Sequence, residues 1–155
     1  MFLDSFRSPR AAVEPAAPTA AAMRRTERAL LFLFGAVGYG LLEIAWRGYT
    51  HWSMLLCGGI ALLMLRSLSK TSFPFGLQCA AGALGITGLE LIAGVIVNRW
   101  LGLAVWDYRD QWGNLWGQIC PAFTLLWLVL AAPVLAVLRT LPEWQGDAQT
   151  TPKEE

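Results

Sequence analysis

Residues 29–46 read ALLFLFGAVGYGLLEIAW, with arginine on either side (Arg28 and Arg47) and Glu43 as the one acidic or basic side chain inside. A bare charge at the centre of a bilayer costs roughly 3 kcal/mol on insertion scales, so a long run this poor in charge is one that hydrocarbon tolerates. At about 1.5 Å per residue the run covers most of a roughly 30 Å apolar core. Working outward, the same pattern returns twice. Between Lys70 and Arg99 only Glu90 is charged, with a span predicted over 75–97, and between Asp110 and Arg139 there is no charge at all, with a span over 119–138. Pro121 falls in the first turn of that last span, where its missing N–H is harmless, and Pro133 is expected to kink it.

A fourth gap, from Arg47 to Arg66, holds His51 alone. Its apolar run, about 52–65, fits a re-entrant or interfacial segment as well as a full crossing. The crossing requires Arg66 to snorkel while the helix continues through Ser67 and Leu68. With four crossings, Arg24, Arg25, Arg28, Arg66, Lys70 and Arg139 fall on one side and Arg47, Arg99 and Arg109 on the other. Positive charge near span ends collects on the cytoplasmic side, so this sorting predicts both termini inside. The expected fold is an all-α integral membrane protein of four transmembrane helices, N-in and C-in, in the cell (inner) membrane. Residues 29–139 form its membrane domain, and 1–28 and 140–155 are disordered cytoplasmic tails.

The rest of the composition agrees. Of 155 residues, 55% are hydrophobic and 15% charged, and the net charge of +1 comes from scattered basic residues, which excludes a nucleic-acid footprint. The tail stretch AAVEPAAPTAAA buries too little apolar surface to offset the entropy of ordering. Met23 begins a string, MRRTERALLFLF, that reads like a natural start, an expectation that the intact mass of the native protein tests. No small-residue cleavage site follows, so the first span reads as an uncleaved helix rather than a signal peptide. The three cysteines, Cys57, Cys79 and Cys120, have no metal-ligand spacing and read as small buried hydrophobes. No phosphate-binding glycine loop, metal signature or paired nucleophile and base is present in the sequence. The chain is therefore expected to be no enzyme and to carry no cofactor or metal.

The predicted outer loops carry Trp46, Tyr49, Trp52, Trp100, Trp106, Tyr108, Trp112 and Trp116, suited to the headgroup level, while Trp144 anchors the other side. Residues 35–43 (GAVGYGLLE) and 82–90 (GALGITGLE) match in register, which predicts two repeated two-helix units. Helical spacing puts Ala36, Gly40, Glu43 and Arg47 on one face of the first span and Ala83, Thr87, Glu90 and Gly94 on the matching face of the third. Small residues there favour close helix packing. An intramembrane carboxylate is either functional or half of a structural pair. Glu43 has Arg47 at i+4, and Glu90 has His51, Arg99 or a tryptophan indole as candidate partners. Asp107 and Tyr108, with Asn114 and Gln118, either close a polar lid over the two glutamates or simply cap the bundle. The candidate polar pocket is therefore Glu43, Arg47, His51, Glu90, Arg99, Trp106, Asp107, Tyr108, Asn114 and Gln118.

Three stretches are too specific to be compositional: residues 46–54 (WRGYTHWSM) followed by Gly58-Gly59, residues 98–108 (NRWLGLAVWDY), and residues 114–120 (NLWGQIC). They resemble the bacterial ABC-transporter permease (type IV) membrane family, over about Leu31 to Ala131. Where that family continues from Trp-Asp-Tyr to Ser and then Pro-Phe, this chain has Arg109, Asp110, Gln111, Trp112 and Gly113, so a serine hydroxyl there has no counterpart. The resemblance implies a transporter subunit of unspecified substrate. Such a subunit needs a separate ATPase chain, since no nucleotide-binding motif occurs here. Besides the lipid bilayer and that ATPase, a second copy of the chain is an expected partner, because four short spans enclose little room. The alternative is a non-transporting membrane scaffold or regulatory subunit.

Overall fold

The computed structural model describes residues 19–142. Expectations for residues 1–18 and 143–155, Trp144 among them, lie outside the described residues. Within them the chain forms α1 (Ala20–Arg47), α2 (Trp52–Ser69), α3 (Phe75–Gly94, extended by a π-helical segment over Val95–Trp100) and α4 (Pro121–Leu138). Among the described residues there is no β-strand, and all four helices are long and apolar enough to cross a membrane.

The start of α1 corrects the predicted tail boundary: residues 20–28 are helical rather than disordered. Alanine is the strongest helix former, and the Thr19 hydroxyl caps the helix by accepting from the Ala22 N–H at 3.2 Å. Composition counted those alanines as tail because it could not see the cap, nor Glu27 tied to Arg66 across the bundle.

The doubtful second span is a complete helix that runs through Arg66 to Ser69. Arg66 does not snorkel to water; it is 5% exposed. Its guanidinium donates to Glu27 Oε1 at 2.9 Å and to the carbonyls of Leu138 and Pro142, each at 2.9 Å. One side chain thus joins α1, α2 and the end of α4. Pro121 opens α4 as predicted, and Pro133 lies inside it, with the helix continuing to Leu138.

Packing follows the small residues. At the α1–α2 crossing a Cβ on Gly35 would collide with the Gly58 carbonyl, and one on Gly58 with Tyr39. Gly59 receives the Phe32 ring in the same way. The predicted face of α3 is buried, with Ala83, Thr87, Glu90 and Gly94 all turned inward. Leu65, Cys79, Ala83, Ile86, Trp127, Ala131, Leu135 and Leu138 form the main core. A second cluster, Met54, Val97, Val105 and Trp106, seats the long loop 101–120 against the helix ends. Leu33, Phe34, Val37 and Leu41 on α1, and Leu125, Val129 and Val137 on α4, are exposed, a distribution that suits lipid rather than water.

The bundle has two ends. Arg47, the turn at 48–51 and the loop 101–120 meet at the loop end, where Arg47 donates to the Val105 carbonyl at 2.8 Å. Glu27, Arg66 and the α4 terminus meet at the opposite, terminal end. Helix α1 packs along α2, α2 against α3 and α4, and α3 against α4, which leaves a cleft between α1 and α4.

Candidate functional site

The cleft opens at the loop end into a cavity of about 520 Å³. Helix α1 and its following turn supply Tyr39, Glu43, Arg47 and Tyr49; the loop supplies Trp106, Asp107 and Tyr108; α4 supplies Phe123 and Trp127. Glu43 and Arg47 form the predicted ion pair one turn apart. Arg47 also holds the Val105 carbonyl and lies over the Tyr49 ring at 4.9 Å, so it anchors the loop to α1 as well as neutralising the glutamate.

The loop is fixed by its own backbone. The Tyr108 N–H donates to the Gly117 carbonyl at 2.8 Å, and the Tyr108 ring stacks on Phe123 at 4.4 Å. Burial, and then the nearby charge of Glu90, hold the Tyr108 hydroxyl above its ordinary pKa, so it stays a neutral donor at the cavity wall. Asp107 turns outward to Arg109, accepting from the side chain at 2.7 Å and from the backbone N–H at 2.9 Å. Those hydrogen bonds lower the Asp107 pKa, and its carboxylate stands at the mouth already paired. Gly117, at φ +71°, leaves no room for a side chain beside Asp107 and Arg109.

Glu90 sits behind this cavity, 4% exposed, and accepts a hydrogen bond from Trp127 Nε1 at 2.8 Å. No lysine, arginine or histidine among the described residues is within ion-pair distance of it. Tyr39 and Trp127, with ring centroids 5.6 Å apart, line both the open cavity and the small void of about 40 Å³ that Glu90 borders. The two aromatics therefore stand between the two carboxylates.

Of the predicted pocket residues, Glu43, Arg47, Trp106, Asp107 and Tyr108 share the cavity wall, and Glu90 adjoins it. The others do not line it. His51 caps α2, its Nδ1 accepting from the Ser53 N–H at 3.3 Å. Arg99 lies over the Trp116 ring at 5.5 Å. Asn114 staples the loop, donating to the carbonyls of Arg109 and Gln111 and accepting from the Gly117 N–H. Gln118 fills the space left by Gly94 and accepts from Asn98 Nδ2 at 2.8 Å. Among the aromatics predicted for the headgroup level, Trp46, Tyr49, Trp52, Trp100, Trp112 and Trp116 are exposed, but Trp106 is 7% exposed and donates its indole N–H to the Gln118 carbonyl at 3.0 Å. Trp106, Asn114 and Gln118 thus spend their side-chain hydrogen bonds on holding the loop in place.

Sequence reasoning missed Tyr39, Phe123, Trp127 and Asn98. Tyr39 lies one turn before Glu43 on the same face, a signal that was available. Trp127 carried a weaker one: an indole N–H inside an apolar span needs an acceptor, and the nearby spans offer few. Asn98 binds the Val105 N–H at 2.7 Å and the Trp106 carbonyl at 3.0 Å, contacts visible only once the loop folds back.

No curated protein and no solved structure compared with the chain matched it. One family model, described as "Putative ABC-transporter type IV", matches residues 48–150. The match takes in α2, α3, the loop, α4 and Glu90, and begins just after Glu43 and Arg47. Of the motifs that carried the resemblance, 98–108 and 114–120 fall inside it and 46–54 does so from Gly48 onward, and the chain belongs to this ABC-transporter type IV family.

Proposed function

We propose that the chain is a permease-like membrane subunit whose α1–α4 cleft is the binding path, with Glu90 as its ionisable centre and the Glu43–Arg47 pair at its mouth. The observation that carries this reading is Glu90 itself: a buried carboxylate whose partner is a tryptophan indole rather than a cation, one aromatic layer from an open cavity. Burying a charge without a counter-charge is costly, so such a group serves a proton or a passing ligand more readily than it serves stability. In this reading the termini are cytoplasmic, the two matching segments are repeats that give each half one carboxylate, and the protein resides in the inner membrane. No catalysis is assigned to it. A separate ATPase chain supplies the energy, and a second copy helps enclose the path.

Gln at position 90 still accepts from Trp127, so Glu90→Gln removes the charge without removing the contact. Cells carrying Glu43→Gln or Glu90→Gln are expected to fail wherever a deletion strain fails, with transport down about tenfold or more for loss of one charged contact, at normal protein level. Growth like wild type in every condition where the deletion strain is impaired contradicts the proposal.

One observation favours a second reading, a scaffold or regulatory subunit: Glu43 and Glu90 both make structural contacts. That reading predicts the reverse result, lower bundle stability with any flux unchanged. A mild-detergent pull-down separates the two by recovering either an ATPase chain or an unrelated membrane complex.

A further inference from the structure

At the terminal end, on the opposite side of the bundle from the cleft mouth, a second cavity of about 460 Å³ lies between the start of α1 and the end of α2. Arg24 and Arg28, one helical turn apart, line one wall, and Lys70, the C-terminal cap of α2, lines the other. The one acid in the wall, Glu27, is already taken by Arg66 at 2.8 Å. Arg24, Arg28 and Lys70 form no ion pair among the described residues, although all three face one hollow. Like charges gathered around a concavity repel unless an anion sits among them.

The same cavity has an apolar side. Leu31 on α1, the next residue along the Arg24 and Arg28 face, and Leu63 on α2 close its other edge. Cations at one edge and leucines at the other match a phosphate group joined to hydrocarbon, not a free phosphate. The cavity also lies where the apolar stretches of α1 and α2 give way to charged residues, the level at which phospholipid headgroups reside.

We propose that this cavity is a binding site for one anionic phospholipid, with its phosphate held by Arg24, Arg28 and Lys70 and the first carbons of its acyl chains against Leu31 and Leu63. Arginine supplies fork-shaped donors for phosphate oxygens and lysine a point charge. Arg66 and Glu27, paired with each other, also line the cavity and tie the ends of α1 and α2 together. The site does not depend on the transporter reading.

The test uses the full-length protein purified in mild detergent with mixed phosphatidylcholine and phosphatidylglycerol, followed by native mass spectrometry of the lipid it retains. Wild type is expected to keep one phosphatidylglycerol in preference to phosphatidylcholine. The variant Arg24→Gln/Arg28→Gln/Lys70→Gln is expected to retain it about a hundredfold more weakly, while Arg139→Gln, outside the cavity, retains it normally. Unchanged thermal stability of the triple variant shows that the bundle is intact, since Arg66 and Glu27 remain. Equal retention by the triple variant, or equal retention of phosphatidylcholine by wild type, overturns the proposal. Displacement of the lipid by millimolar inorganic phosphate also overturns it, because the site would then be one for the anion alone.

Discussion

Gly58→Val is expected to keep α1 and α2 from closing on each other and to cost more than about 3 kcal/mol of bundle stability, at the upper end of overpacking effects. A side chain at 58 would drive into the Tyr39 Cβ and the Gly35 carbonyl, both on the rigid body of α1. Neither neighbour is the flexible end of a long side chain, so the helices themselves must separate. In lipid there is little hydrophobic force to press them together again, because association there rests on van der Waals contact over closely approaching backbones. Gly38, on the partner helix α1, supplies the control: a Cβ there meets nothing within 4 Å. Gly38→Ala is expected to be neutral or to stabilise by up to about 1 kcal/mol through helix propensity. Unfolding in mixed micelles, followed by tryptophan fluorescence, measures both. A Gly58→Val protein as stable as wild type rules out the close crossing.

Arg66→Met is the second large effect. Methionine keeps the apolar stem of the side chain and removes every donor, so Glu27 and the carbonyls of Leu138 and Pro142 lose their hydrogen bonds to it. Breaking a fully buried pair costs about 3–5 kcal/mol. The Glu27 side chain retains 21% exposure, so water recovers part of that, and the expected loss is about 2–3 kcal/mol. Arg66→Lys is expected to recover less than half of it, because one ammonium cannot reach three acceptors held in a fork. Since Arg66 closes the end of α4, protease sensitivity near Leu138 should rise in step with the loss of stability. An Arg66→Met protein with wild-type unfolding and no new cleavage contradicts this role.

These two positions show why some of the fold could be read directly and some could not. Spans one, three and four declare themselves because insertion energy forbids charge, and Arg47, Arg99 and Arg139 each fall within one residue of where α1, the π-helical extension of α3, and α4 end. The second span looked short only because Arg66 was counted as its end. A charge stops a span when it lacks partners, and the partners of Arg66 come from α1 and α4, remote in sequence. The early start of α1 was hidden for a similar reason, because the cap at Thr19 is a three-dimensional contact.

The site divides the same way. Glu43 with Arg47 is local, one helical turn, and was legible. The matching glutamate lacks that local partner, because at i+4 from Glu90 the sequence has Gly94 instead of arginine. Gln118 from the loop fills that gap, and the carboxylate turns to Trp127 on α4. An indole partner was foreseeable, but which indole was not. The loop was least legible of all. Ala104 and Trp116 both adopt positive φ, at 46° and 55°, conformations that tertiary contacts such as Asn98 with Val105 impose and that no local pattern announces. His51, Arg99 and Asn114 were placed in the pocket by chemistry alone, and each is occupied by a capping, stacking or turn-stapling contact instead.

The central claim is that the chain crosses the bilayer four times, with the loop end and the terminal end on opposite faces. Its most direct test places a single cysteine at Thr50, Ser72, Asp110 or Thr140 in a background with Cys57, Cys79 and Cys120 changed to serine, and labels sealed vesicles with a membrane-impermeant maleimide. The account predicts that positions 50 and 110 react from one side and 72 and 140 only from the other. Positions 50 and 72 reacting from the same side would mean that α2 does not cross, and the cleft between α1 and α4 would not exist as described.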